Sequence, residues 1–312
     1  MVKYVIKRLL MLILVVLGVT VLIFSLMHFV PGDPATLILG STADLEDIEA
    51  LRESMGLNDP FIVQLGRYMY NVFLKFDFGS SYYSGKTVTS ELITRMPYTL
   101  ILGFSSIILT LIIGVPLGIL AAVKHNRPMD YISMIIALIG VSMPGFWIGL
   151  LLVIVFALNL GILPATGVDT WTGYILPVIA TSLGALGGLA RQSRSSMLEV
   201  INSDYNVTAR AKGLSEREII VKHALPNALL PIITIAGSQL SNIFGGSVVI
   251  ETVFSIPGVG MYMVQAISSR DYPAVEGAVI ILSIIFSIIM LLVDLAYAFI
   301  DPRIKETFAG KR

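Results

Sequence analysis

Cysteine is absent from all 312 residues, histidine occurs three times, tryptophan twice, and only 13% of the chain is charged. Without cysteine there is no disulfide framework, no thiolate metal ligand and no cysteine nucleophile; the absence says nothing about redox compartment. His28, His125 and His223 lie far apart in sequence, which argues against a histidine metal cluster. A soluble chain carries about 25% charged residues, so roughly half the charge that coats a water-facing surface is missing. Basic and acidic residues balance at 21 each, leaving no global field to recruit a polyanion. These shortages exclude a free soluble enzyme, a nucleic-acid binder and a disordered scaffold. What is present is apolar: 55% hydrophobic residues and a mean hydropathy of +0.85 describe a membrane protein.

Six windows hold no Asp, Glu, Lys or Arg inside them: Leu9–Gly32, Met96–Val123, Tyr131–Val168, Thr170–Ala190, Ala224–Ile250 and Gly277–Val293. A bilayer core about 30 Å thick is crossed by roughly 20 helical residues, and backbone groups in lipid must be paired within the segment. The expectation is an all-α polytopic membrane protein with transmembrane helices at 9–30, 98–123, 131–158, 174–190, 228–250 and 277–300. The third window is too short for two spans and a turn, so one helix is expected there, ended by Asn159, Gly161 and Pro164. The fourth is the weakest, with Pro177 near its start and Gly184, Gly187 and Gly188 lowering helicity. Gly184-x-x-x-Gly188 and Gly114-x-x-x-Gly118 are small-residue faces suited to close helix packing, and Pro116 is an expected kink.

An even number of spans puts both termini on one side. Fifteen of the 21 basic residues fall at 1–8, in the loop after the second span, in the loop 191–227 and at 301–312. Positive-inside bias makes that face cytoplasmic. Lys3, Lys7 and Arg8 before an apolar run look like a signal peptide, but the run is too long for an h-region and lacks a small-residue cleavage site, so an uncleaved first span is expected.

Two loops are long. The outer region 31–97 carries nine acidic and five basic residues; Asp44–Met55 reads as an amphipathic helix through Leu45, Ile48, Leu51 and Met55, and Phe61–Leu74 repeats the pattern weakly. Both are expected to pack as a small external cap. Gly79-Ser-Ser-Tyr-Tyr-Ser-Gly85-Lys86-Thr87 has five residues between glycines where a phosphate-binding loop needs four, and follows no strand. It is rejected as one, and any ATP must be bound by another chain. In the inner loop 191–227, Ser195–Lys212 has helical character and Gly213 suits a helix C′ position. Ser215-x-x-Glu218 forms a capping box for a second helix, which Pro226 is expected to end. Such a pair is either an interfacial element on anionic lipid or a docking knob for a soluble partner.

Thr208-Ala-Arg-Ala-Lys-Gly213-Leu-Ser, followed by His223-Ala-Leu225-Pro226-Asn227, resembles the cytoplasmic Glu-Ala-Ala loop of ATP-binding-cassette (ABC) importer permeases. Aligned on Gly213 and Pro226, Val207 stands at the glutamate position and Thr208 at the first alanine, while Ala209 matches. This departure resembles the dipeptide/oligopeptide/nickel branch. Pro31-Gly-Asp-Pro34, Ser142-Met-Pro-Gly-Phe-Trp147, Glu251-Thr-Val-Phe-Ser-Ile-Pro-Gly-Val-Gly260, Arg270-Asp-Tyr-Pro273 and Asp294-Leu-Ala-Tyr with Asp301-Pro-Arg303 are similar to it too.

The resemblance implies the type I importer fold, with a type-1 transmembrane domain at about 94–298, and alternating access driven by partner ATPases. It implies a second permease, two cytoplasmic ATPase subunits carrying ATP and Mg, an external solute-binding protein, and no cofactor on this chain. Asn206, Val207, Thr208, Ala209, Arg210, Ala211, Lys212, Gly213, Leu214, Ser215 and Glu216 would form the ATPase-coupling segment, supported by Glu218, Leu225 and Pro226. Ala209 and Gly213 would permit close backbone approach, and Arg210 and Lys212 would pair with partner carboxylates. Catalytic and metal-binding residues are expected to be absent, and no residue is assigned to cargo. The resemblance implies half of a translocation pathway for di- or oligopeptides, with nickel chelates or oligosaccharides as the alternative cargo. The rival reading, an ion-coupled secondary transporter, needs charges in mid-span, and within the six windows as extended to residue 300 Asp294 is the sole candidate.

Overall fold

The computed structural model describes the backbone of residues 2–40 and 42–300, and side chains from 5 to 295 except at 41. The expected cytoplasmic tail 301–312, with Asp301-Pro-Arg303, lies outside the described residues.

Among the described residues the chain is helical, with a single isolated bridge, Ser80 to Thr87, in place of any sheet. In order come α1 (Val2–Phe29), α2 (Pro34–Leu39), α3 (Leu45–Ser54), α4 (Phe61–Lys75), α5 (Val88–Val123), α6 (Pro128–Ser142) and α7 (Gly145–Leu152), the last running on as a π-turn at Val153–Asn159. A 3₁₀ turn, Trp171–Tyr174, leads into α8 (Ile175–Ile201), followed by α9 (Asp204–Ala211), α10 (Glu216–Glu218), a π-turn at Ile219–Ala224, α11 (Leu225–Val253), α12 (Val259–Ser269) and α13 (Tyr272–Ile300). Five of these stretches are long and apolar enough to cross a membrane, and the pair α6 with α7 makes a sixth if taken as one broken span.

That pair corrects the expectation of one helix at 131–158. The two halves are bent by 103°. Pro144 lacks an N–H and disfavours α geometry in the residue before it, and Met143 accordingly sits at φ −100, ψ 134. A second correction concerns Pro226. It does not end a helix: α10, the π-turn and α11 form one run from Glu216 to Val253, and Pro226 occupies the first turn of α11. The wider π-turn just before it is the kind of local adjustment that relieves a proline's missing donor and ring clash. The stretch between the fifth and sixth expected spans contains the eleven-residue α12.

The chain divides into two compact units. The first comprises Thr99–Ile256 with the segments up to Val5 and from Ile289. Its helices approach closely where small residues allow it: a Cβ at Gly118 would collide with the Ala190 carbonyl, and one at Gly187 with the Ala137 carbonyl. These are the contacts that small-residue faces permit in lipid. The carboxylate of Glu251, fully buried, accepts from Thr99 Oγ1 at 2.7 Å.

The second unit comprises Ile6–Tyr98 and Pro257–Ile288. Val16 and Ile23 of α1 pack with Val72, Phe78, Val88, Leu92, Val259, Ala274 and Ile280 in one core. Asp33 caps α2 through the Thr36 amide at 3.1 Å, with Pro34 at the first helical position, where its missing N–H costs nothing. The segment 79–87 is a tight hairpin in which the Ser81 amide donates to the Lys86 carbonyl at 2.9 Å, while Ser81 Oγ donates to Asp271 at 2.5 Å.

Candidate functional site

The segment 206–216 projects from the first unit, and its shape follows from local chemistry. α8 stops at Ile201, and Ser203 in extended geometry opens α9. Asn206 turns inward and is fully buried, its Nδ2 donating to the Val200 carbonyl at 2.7 Å, which pins the corner between the two helices. Ala209, one turn on at helical spacing, is buried too. Tyr205, Val207, Thr208, Ala211 and Lys212 are exposed. The eight residues therefore separate into an inner edge that mounts the helix and an outer edge open to a partner.

The end of α9 is a Schellman closure. The Leu214 amide donates to the Ala209 carbonyl at 3.3 Å and the Gly213 amide to the Arg210 carbonyl at 2.9 Å, with Gly213 at φ +80. That left-handed conformation is open to glycine and strained for β-branched residues. Ser215 then caps α10, its Oγ accepting from the Glu218 amide at 3.3 Å. Only half of the expected capping box is made, because the Glu218 carboxylate pairs with Lys222 Nζ at 2.6 Å.

Arg210 does not present a free guanidinium. Its Nε donates to Glu216 at 2.7 Å and Nη1 to the Ile201 carbonyl at 3.3 Å, and the bond to Glu216 holds its pKa above the ordinary arginine value. Within this chain Arg210 braces the segment through Glu216 and Ile201, and Ala209 faces inward. Lys212 remains exposed.

The same unit holds a core of Ala122, Leu189, Met197, Ala224, Ala228 and Ile232. It joins α5, α8 and the start of α11. Asp130 adds a polar tie: buried at 3% exposure, it accepts from Arg194 Nε at 2.6 Å and Nη2 at 2.8 Å, and from the Asn126 amide at 3.0 Å. His125 Nδ1 lies 3.2 Å from the same carboxylate. Elsewhere in this unit a groove of about 500 Å³ is lined by Thr181, Gly184, Gly188, Gln239 and Asn242, a short polar row among apolar helices.

Two family models cover almost the whole chain: the N-terminal membrane component of binding-protein-dependent transport systems at residues 1–103, and the inner-membrane component of the same systems at 114–306. The chain belongs to this permease family. The glutathione transport system permease protein GsiC of Salmonella paratyphi A is 43% identical over 98% of this chain and 99% of its own length. The dipeptide transport system permease protein DppB of Alkalihalophilus pseudofirmus is 42% identical over 98% of this chain and all of its own. An inward-facing structure of the MetNI methionine ABC transporter matches with a TM-score of 0.59 at 21% identity, covering 68% of this chain and 96% of that one. That likeness shows the type I importer fold.

The protein is therefore a multi-pass inner-membrane permease of an ABC importer, working with ATPase and binding-protein partners. In this permease Gly213 and Pro226 mark the segment 206–216 in the sequence, whereas the Asp130–Arg194 tie has no local signature. Its partners are 64 residues apart, and no local pattern links them. Nor is Asp294 the sole ionisable residue within the long helices: Glu251 in α11 and Glu276 in α13 lie inside them, both buried.

Proposed function

We propose that this permease forms half of a translocation pathway for di- or oligopeptides, and that α9 is the element through which partner ATPases drive it. The peptide reading is supported by the dipeptide and glutathione systems in the names of its relatives, glutathione being itself a tripeptide. The coupling reading rests on one observation above all: a rigidly capped helix with a mounted inner edge and an exposed outer edge carrying Val207, Thr208, Ala211 and Lys212. ATP and Mg would reside on the partners, whose closure would push α9 and, through the core of the same unit, turn α8 and α11. The groove with Gln239 and Asn242 would be this chain's share of the passage, facing a second, related permease. The termini and α9 would lie in the cytoplasm, since the basic residues concentrate there, and the region 31–97 outside.

The test is co-expression with the ATPase, permease and binding-protein genes, followed by pull-down and ATP-dependent uptake of a labelled dipeptide into vesicles. Deleting 206–216, or Gly213→Pro, is expected to abolish ATPase association while the protein still inserts. Undiminished association would overturn the coupling role. Uptake of nickel chelate or oligosaccharide in place of peptide would overturn the cargo assignment alone.

A further inference from the structure

The second unit contains a half-open cavity of about 400 Å³ whose wall carries three carboxylates, Asp33, Asp77 and Glu276, and two guanidiniums, Arg52 and Arg67. Both guanidiniums are already satisfied. Arg52 pairs with Asp33 at 3.0 Å and Glu49 at 2.6 Å, and Arg67 with Asp59. Asp77 accepts from the Gly79 amide at 2.8 Å. Glu276 is different: it is 7% exposed, and among the described residues no cation pairs with it. On the same wall the buried Tyr68 hydroxyl donates to Glu276, while Tyr272, 7% exposed, buries its hydroxyl without a hydrogen-bond partner.

Buried polar groups are nearly always paired, and a buried carboxylate without a counter-charge is costly. Glu276 is met only by the neutral Tyr68 hydroxyl and Tyr272 by nothing, which leaves a place at this cavity for a group from outside the chain. A positive group suits Glu276, and a hydrogen-bond donor suits the Tyr272 oxygen. The aromatic lining adds a further requirement. Tyr68 stacks on Phe24 with ring centroids 5.2 Å apart, and Tyr82 meets Tyr272 edge-on at 6.3 Å, so the guest also lies against π faces, which attract organic cations. A bare metal ion fits less well, since among the described residues no group of three His, Asp or Glu side chains is placed to hold one. An anion would face three carboxylates.

We propose that this cavity binds a small molecule through its protonated amine, with Glu276 as counter-charge and Tyr272 as hydrogen-bond acceptor. The amine comes either from the N-terminus of a peptide or from a free alkylamine. The purified full-length chain in detergent is titrated with butylammonium chloride, with potassium chloride and sodium butyrate at equal ionic strength as controls, by thermophoresis and by thermal shift. Saturable binding of butylammonium alone is expected, weakened at least tenfold in Glu276→Gln. Should that variant fold poorly, Tyr272→Phe keeps the ring and removes only the hydroxyl, and is expected to weaken binding severalfold. Competition by a free dipeptide but not by its N-acetylated form assigns the amine to a peptide; butylammonium binding without competition assigns it to a free amine. No saturable binding of either probe, or binding unchanged in both variants, overturns the proposal. Because equilibrium binding to the chain alone is measured, the outcome is separate from whether the assembled importer takes up peptides.

Discussion

At the scale of single residues, the strongest ties in the first unit are polar contacts inside an apolar frame. Asp130 is almost fully buried and Arg194 supplies two hydrogen bonds to it. Removing one partner of such a pair leaves a buried charge unmet at a cost of about 3 kcal/mol or more. Arg194→Ala is therefore expected to lower the thermal midpoint of the purified protein substantially. The double variant Asp130→Asn with Arg194→Ala should cost less than the sum of the two single changes; strict additivity in a double-mutant cycle would disprove the pairing. Gly118 makes the complementary point for packing. A methyl group there meets the Ala190 carbonyl and the Ser193 Cβ, so Gly118→Ala should destabilise by about 1–3 kcal/mol through overpacking. A midpoint equal to wild type would show that α5 and α8 can separate at no cost.

At the scale of elements, the two edges of α9 make distinguishable predictions. Val207 is 54% exposed, whereas Ala209 is buried at 7%. Exposed substitutions away from special features move stability by no more than about 0.5 kcal/mol. Val207→Asp should leave the midpoint unchanged yet reduce ATPase association, while Ala209→Leu should disturb the mount and lower both. Equal effects on stability from the two changes would remove the distinction between an inner and an outer edge. At the end of the helix, Gly213→Val forces a β-branched residue into left-handed geometry at about 1–2 kcal/mol, read as a lowered midpoint. Arg210→Ala breaks an exposed pair with Glu216, a class of interaction worth only about 0–1 kcal/mol, and should matter more for ATPase activation by the assembled transporter than for the fold.

At the scale of the whole molecule, topology and dependence on partners are the properties to measure. The natural lack of cysteine makes topology directly measurable. Lys212→Cys should react with a membrane-impermeant maleimide only after cells are opened, and Leu45→Cys in intact cells whose outer barrier is permeable to the reagent. The reverse labelling pattern would invert the proposed orientation. Reconstituted by itself, the permease should show no gradient-driven uptake of a dipeptide, and the complete assembly should show uptake only with ATP. Gradient-driven transport by the lone chain would defeat the importer mechanism.

Composition and hydropathy by themselves determined that the protein is a helical membrane protein and roughly where its spans lie, because a bilayer tolerates no long backbone stretch that leaves its own groups unpaired. Local chemistry likewise determined the Gly213 closure and the Ser215 cap, since both depend on neighbours in sequence. The break at Pro144, the passage of helix through Pro226 and the amphipathic α12 were decided in three dimensions, where packing selects among the few ways a chain can accommodate a proline or cover an apolar face. The same is true of Asp130 with Arg194, of the inward turn of Asn206, and of Glu276 beside Tyr272. Each depends on side chains or segments brought together by the fold, and proximity of that kind has no period and no motif. A single sequence records which charges exist; only the folded chain decides which of them are left without a partner.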